Sequence, residues 1–305
     1  MKPLLSIVIA NYNYGRFLEE AIRSILSQGM DDKVEIIICD AASTDNSVEI
    51  IQKYAGDLPP NTERDSAVHL SPTPTPISWW CSEKDGGQSA AFNKGFSHAR
   101  GEWLTWLNAD DFYLPGTLKA FEELIRSNPM VEWVTGNKIH FDNTSGRIIS
   151  INWGPHAMPP FLSRNRASSG SFGPTAFWRK EVYNRVGPID ENMHYAMDTE
   201  YWARFVMAGV RQTRLRHVCW AFREHEESKT EGIQTDAIKH KRNAETKYWR
   251  EKTGYTYKHD FSNPWYWVLM IWRCCDGSLL KRFCLKQCYE GKSLKFAIQN
   301  CKECH

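Results

Sequence analysis

Short apolar runs that stop abruptly at amides and carboxylates recur through the first 140 residues, and no other feature constrains the fold as tightly. Residues 4–10 are almost continuously apolar, the composition of a strand covered on both faces. Leu18, Ala21, Ile22 and Ile25 then recur at helical spacing. The alternation continues with a strand over 34–39, a helix over 43–54, a strand over 77–81, a helix over 88–99 and a strand over 103–107. Pro115 suits the first position of a helix over 116–126, and 131–135 reads as the closing strand. Residues 57–77, with prolines at 59, 60, 72, 74 and 76, are too proline-rich for regular structure. Strands alternating with helices imply right-handed crossovers and a mainly parallel α/β sheet with flanking helices.

In such sheets ligands bind beyond the carboxyl ends of the strands. Those ends carry Asn11 and Asn13, then Asp40, then Glu83 and Asp85, then Asn108, Asp110 and Asp111. Any one of them serves equally well as a cap or turn residue. As a set they read as a site. The adjacent carboxylates Asp110 and Asp111 repel each other, which a hard divalent cation such as Mg²⁺ or Mn²⁺ offsets while keeping positions open for phosphate. A helix cap would account for one aspartate but hardly for both.

These motifs carry a resemblance. Residues 5–13, Leu-Ser-Ile-Val-Ile-Ala-Asn-Tyr-Asn, are similar to the first strand of family 2 glycosyltransferases. Residues 40–47, Asp-Ala-Ala-Ser-Thr-Asp-Asn-Ser, resemble that family's Asp-Gly-Ser-Thr-Asp turn. Asp85-Gly86-Gly87-Gln88-Ser89, Asn93-Lys94-Gly95 and Asn108-Ala109-Asp110-Asp111 follow in the family's order, and the likeness continues through 196–204. The resemblance covers roughly residues 4–230. It implies a GT-A fold, a nucleotide-diphosphate sugar donor, a divalent metal (Mn²⁺ or Mg²⁺) and inversion at the anomeric carbon. By the same resemblance Asp40 accepts from the imide N–H of a uracil or thymine ring. Asp85 lies beside that base, Asp110 near the ribose or sugar, and Asp111 ligates the metal. Asp198 matches the general base, with Met197 standing where the family has an acid. Asn11 and Asn13 are expected at the donor from their place after the first strand. Ala41 and Ala42 replace a common glycine, and because alanine favours negative φ a differently shaped turn is expected.

Other signals are less specific. Gly86-Gly87 is either a plain turn or a place where backbone N–H groups, Gly87 among them, approach substrate before a helix. Lys94 fits a phosphate contact or a solvated helix face. His225, in an Arg-x-His segment, fits a phosphate or metal contact or a surface loop. Arg164 and Arg166 are expected in an acceptor loop within 151–175. The thirteen tryptophans fit ring stacking on ligands or a large aromatic core.

The resulting organisation is a catalytic domain over 1–230, its nucleotide-binding half about 1–115 and its acceptor half about 116–230, followed by a helical, Trp- and Cys-rich extension over 231–305. Within the extension, 265–272 is an aromatic and apolar run in a basic context. It reads either as an interfacial membrane segment, which would present a lipid-linked saccharide acceptor, or as a helix packed on the catalytic domain. Cys301, Cys304 and His305 invite a zinc reading, but the other cysteine pair, Cys284 and Cys288, lacks the usual spacing. No apolar run approaches the ~20 residues of a membrane span. The opening residues read as a buried strand rather than an export signal, so nine reduced cysteines and a cytoplasmic setting, peripheral to the inner membrane face, are expected. A formal net charge of +2 argues against a nucleic-acid partner. Two rival functions stand beside glycosyl transfer: a nucleotidyltransferase, and a nucleotide-sugar-binding protein without catalysis.

Overall fold

The computed structural model describes residues 2–63, 77–154, 173–228, 236–255 and 264–300. Arg164, Arg166, Cys301, Cys304, His305 and most of the proline-rich stretch lie outside the described residues. The chain divides into two compact units, one of 1–113 with 176–194 and one of 114–175 with 195–305.

In the first unit, β1 (Leu5–Asn11) runs parallel to both β2 (Val34–Asp40) and β4 (Trp103–Asn108), and β3 (Ile77–Ser82) runs parallel to β2. A short strand, β8 (Ala176–Arg179), joins β4 antiparallel, giving the order β3-β2-β1-β4-β8. Leu5, Ile7, Val8 and Ile9 are all fully buried, so both faces of β1 are covered, which is why its residues are apolar without alternation. The crossovers are α1 (Gly15–Leu26), α2 (Ser47–Ala55) and α3 (Gln88–His98). Helix α3 lies close on the sheet because residue 95 has no side chain. A Cβ there would fall 2.2 Å from Val8 Cγ1 and 3.3 Å from Cys39 Sγ. The short β5 (Phe112–Tyr113) and, after β8, the helix Lys180–Val186 complete this unit.

The second unit is built on β6 (Trp133–Asp142), parallel to β9 (Gln212–Glu224) and antiparallel to β7 (Ile148–Asn152). Its helices are α4 (Thr117–Ser127), α6 (Met197–Met207), α7 (Asp236–Thr253), α8 (Pro264–Cys275), α9 (Ser278–Tyr289) and α10 (Leu294–Asn300), with Lys180–Val186 counted as α5 of the chain. Stacking of Trp133 on Trp202, ring centroids 5.5 Å apart, and the edge of Phe205 against both anchor α6 to β6. The expected strand over 131–135 overlaps the start of a longer one, Trp133–Asp142, that pairs with both β7 and β9.

Ten of the thirteen tryptophans are buried, so the high aromatic content is mainly core. The extension packs with one set of side chains and leaves another exposed. Leu269, Leu285, Tyr289 and Ala297 are buried, and Gly291 and Lys292 exchange backbone hydrogen bonds with Ile148 of β7. Yet Trp267, Ile271, Leu280 and Phe283 remain more than half exposed. A helix has room for both stripes, one turned to the protein and one to solvent. Among the described residues no helix is long and apolar enough to cross a membrane.

Candidate functional site

The carboxyl ends of β1 and β2 are joined by a hydrogen-bond network centred on Asp40, which is 1% exposed. One of its oxygens accepts from Asn11 Nδ2 at 2.7 Å and Ser43 Oγ at 2.5 Å, the other from the Ser43 backbone N–H at 3.0 Å and Ser82 Oγ at 2.6 Å. A carboxylate offers about four lone-pair positions, so four protein donors satisfy it. Ser43 is the hub that sequence reasoning missed. Its hydroxyl also accepts from Asn11 Nδ2 and from the Asn13 N–H at 2.8 Å. The available signal was an Asp with a Ser three residues later, the pattern of a side-chain-capped turn. Asn13 in turn accepts from the Thr44 N–H at 2.8 Å, and Asp45 accepts from the Gly15 and Ser47 N–H groups.

These bonds hold two residues in left-handed backbone: Asn13 at φ 55° and Ala42 at φ 57°. Ala42 thus takes a left-handed backbone although alanine favours negative φ. Alanine accepts the conformation that glycine adopts freely, at an order of 1–2 kcal/mol, because Asp40 and Ser43 fix the turn on either side of it.

Beyond β3, Asp85 accepts from the Gly87 N–H at 2.8 Å, closing the turn into α3. Gly87 has φ 107°, a conformation open only to glycine, so this pair is a built turn. Lys94 reaches Glu83 at 2.5 Å, and that bond with its negative partner raises the ammonium pKa. Of the two sequence readings of Lys94, the geometry gives it a carboxylate partner on the protein itself.

At the end of β4, Gln88 Nε2 donates to Asn108 Oδ1 at 3.2 Å, and Asn108 Nδ2 donates to Asp111 at 2.9 Å. Asp111 is 1% exposed and Asp110 half-buried. Asn108 therefore aims Asp111, a role the sequence only hinted at through adjacency. Among the described residues no group of three or more His, Cys, Asp or Glu side chains is disposed to hold a metal ion. Asp110 and Asp111 nonetheless fit Mg²⁺ or Mn²⁺, which takes one or two protein carboxylates and completes its shell with water and phosphate.

Asp198 and His225 belong to the second unit. Asp198 occupies the first turn of α6, where the Thr199 N–H donates to it at 2.6 Å. It keeps some surface, but the protein crowded round it removes enough water to raise its carboxyl pKa, opposed by the Thr199 bonds and by the charges of Lys138 and Arg242. A carboxylate so raised, yet still reachable, is suited to accept a proton. His225 follows β9, is largely buried, and its backbone is tied to Ser228 in both directions.

An uncharacterized glycosyltransferase of Nostoc sp. is 33% identical over 61% of this chain and 54% of its own length. Glycosyltransferase GlyG of Streptococcus pneumoniae is 27% identical over 61% of this chain and 60% of its own. The chain thus spans little more than half the length of these curated relatives. Among solved structures, TarS of S. aureus with UDP-GlcNAc has a TM-score of 0.57 at 16% identity, covering 75% of this chain and 60% of that one. The mannosyltransferase PcManGT of Pyrobaculum calidifontis, solved with GDP-Man and Mn²⁺, has a TM-score of 0.57 at 20% identity, covering 85% of this chain and 66% of that one. The architecture, a mixed but mostly parallel sheet flanked by helices with a helical C-terminal region, is that of the GT-A glycosyltransferases. Residues 6–187, more than half of the chain, match the model of Glycosyl transferase family 2, and the chain belongs to that family.

Proposed function

We propose that this chain is an inverting glycosyltransferase that moves a sugar from a uridine or thymidine diphosphate donor to a hydroxyl of a saccharide or lipid-linked saccharide, in polysaccharide or glycolipid synthesis. The observation that carries the reading is the Asp110-Asp111 pair after β4, with Asp111 buried and aimed by Asn108, in a chain of this family. A bound Mn²⁺ or Mg²⁺ would be held by Asp111, with Asp110 beside it, and would neutralise charge growing on the leaving diphosphate. The acceptor oxygen attacks the anomeric carbon, its proton passes to an Asp198 carboxylate oxygen, and the bond from that carbon to the diphosphate breaks with its electron pair on phosphate. Asn11, Asn13, Asp40, Asp85 and Gly87 form the nucleotide side of this assignment, Gly87 through the turn that its N–H closes with Asp85. At Asp40 the base imide would replace one serine hydroxyl, exchanging one donor for another and keeping the carboxylate satisfied. His225 is assigned to the donor phosphates or the metal.

The intact carboxylates at 110, 111 and 198 argue against a binding protein without catalysis. Asn11-Tyr12-Asn13-Tyr14, in place of a basic glycine-rich loop, argues against a nucleotidyltransferase. A thermal-shift panel of UDP-, dTDP- and GDP-sugars with and without Mn²⁺ tests the reading. UDP- or dTDP-sugars are expected to raise Tm most, and only fully with metal, followed by slow nucleoside diphosphate release. Preference for GDP-sugars would reject the base assignment, and binding without turnover would reject catalysis.

Peripheral contact with a membrane is the second part of the proposal, favoured by the exposed Trp267, Ile271, Leu280 and Phe283. Residues 264–300 carry six Lys or Arg against two Asp or Glu. Basic residues near anionic lipid contribute roughly 1 kcal/mol each, in addition to apolar burial at the headgroups. The protein is expected to pellet with phosphatidylglycerol vesicles at low salt and to be released by Trp267→Ala with Phe283→Ala. Retention in the supernatant at low salt would reject the contact.

A further inference from the structure

The start of α6, which carries Asp198, is not capped by any side chain of its own. Ala196 occupies the cap position and makes no side-chain cap bond, while within the first turn Asp198 takes the Thr199 N–H. The capping bond comes from fifty residues away. Glu245 on α7 accepts the backbone N–H of Tyr195 at 2.9 Å and of Ala196 at 3.0 Å, both on the same carboxylate oxygen. The negative charge also suits the positive end of the α6 dipole.

Glu245 is one of a row. Arg242, Glu245, Trp249 and Lys252 are spaced three, four and three apart, which places them on one stripe of α7. Trp249 is buried, Lys252 lies 3.5 Å from the buried carboxylate of Glu200 on α6, and Arg242 contributes positive potential at Asp198. Glu200 is further fixed by Arg204 at 2.9 Å. Helix α7 is thus a splint along α6, and Glu245 is the member that grips the two residues just before the helix begins.

We propose that Glu245 is a positioning residue for Asp198: by holding the Tyr195 and Ala196 N–H groups it sets where the first turn of α6 presents that carboxylate. This rests on the reading of Asp198 as the general base. Displacing a reacting group by about 1 Å can cost on the order of 10²-fold in rate while leaving binding elsewhere untouched.

The test uses the full chain, Mn²⁺, and the sugar nucleotide that binds most tightly in the panel above, with nucleoside diphosphate release as the readout. Glu245→Ala is expected to lower kcat by about 10–100-fold with donor KM changed by less than about twofold. Glu245→Gln, whose amide oxygen can still accept both N–H groups, is expected to recover most of the rate. Glu245→Asp, one methylene shorter but still charged, should fall between them and speed amide exchange at Tyr195 and Ala196; it also serves if the alanine variant does not fold. In an Asp198→Asn background, Glu245→Ala should lower the residual rate by less than about twofold, because the group being positioned is gone. Wild-type kcat in both Glu245→Ala and Glu245→Asp, or an equal loss in both backgrounds, overturns this inference alone. Wild-type turnover in Asp198→Asn by itself overturns the base reading and this inference with it.

Discussion

Asp198→Asn is expected to lower kcat by about 10²–10⁴-fold while leaving donor affinity within a few fold, the range typical for loss of a general base. The donor is assigned to other residues, Asn11, Asn13, Asp40 and Asp85, so removing a proton acceptor should act on the reaction step and not on binding. Two further signatures separate this from simple damage. Burial raises the Asp198 carboxyl pKa, so the rate of the unmodified protein should climb as pH rises through that elevated value, and the limb should vanish in the variant. The stability effect has the opposite sign to the activity effect. A raised folded-state pKa means that the folded protein binds this proton more tightly than the unfolded chain. The associated stability is complete below the unfolded pKa and is lost as pH rises through the folded one. At neutral pH the ionised group is therefore held at a cost, and the neutral amide should leave Tm unchanged or slightly higher. Turnover and pH profile like those of the unmodified protein would exclude Asp198 as the base. Glu200 could not then take over without rearrangement, since it is fully buried and paired with Arg204 and Lys252.

Asp111→Asn should remove metal-supported turnover, by about 10²–10³-fold or several kcal/mol, the order expected when one group stabilising a developing anion is lost. The fold should survive. The asparagine keeps an acceptor oxygen for Asn108 Nδ2, and residue 111 also donates its own backbone N–H to the Asn108 carbonyl at 3.2 Å. A metal titration distinguishes the causes. If the loss is one of metal affinity, raising Mn²⁺ should recover part of the rate; if it is one of charge in the transition state, it should not. A variant with near wild-type turnover at saturating Mn²⁺ and Mg²⁺ would remove Asp111 from the metal assignment. Circular dichroism and the melting curve serve as the control that the buried position still packs.

The sequence by itself determined the alternating strands and helices, the crowding of carboxylates at strand ends, and the family. Each of these is written in neighbouring residues. A continuous apolar run such as β1 reports burial on both faces, and an acidic pair after a strand reports the end of that strand. Sequence position could not determine what each polar group touches, because that depends on sheet order and crossovers. Asp40 is satisfied partly by Ser82, a residue 42 positions later that only the β2–β3 pairing brings alongside. Lys94 finds Glu83, and Ala42 holds a left-handed turn because bonds on either side of it leave no alternative. The extension, read as either packed or membrane-facing, does the first with one helical stripe and leaves another exposed, a division visible only once β7 fixes which stripe turns inward. The same limit applies most strongly to Glu245. Nothing in the local sequence of a basic helix says that Glu245, one of its three carboxylates, closes the N-terminus of another, since hydrogen bonds are made between positions in space and not between positions in a chain.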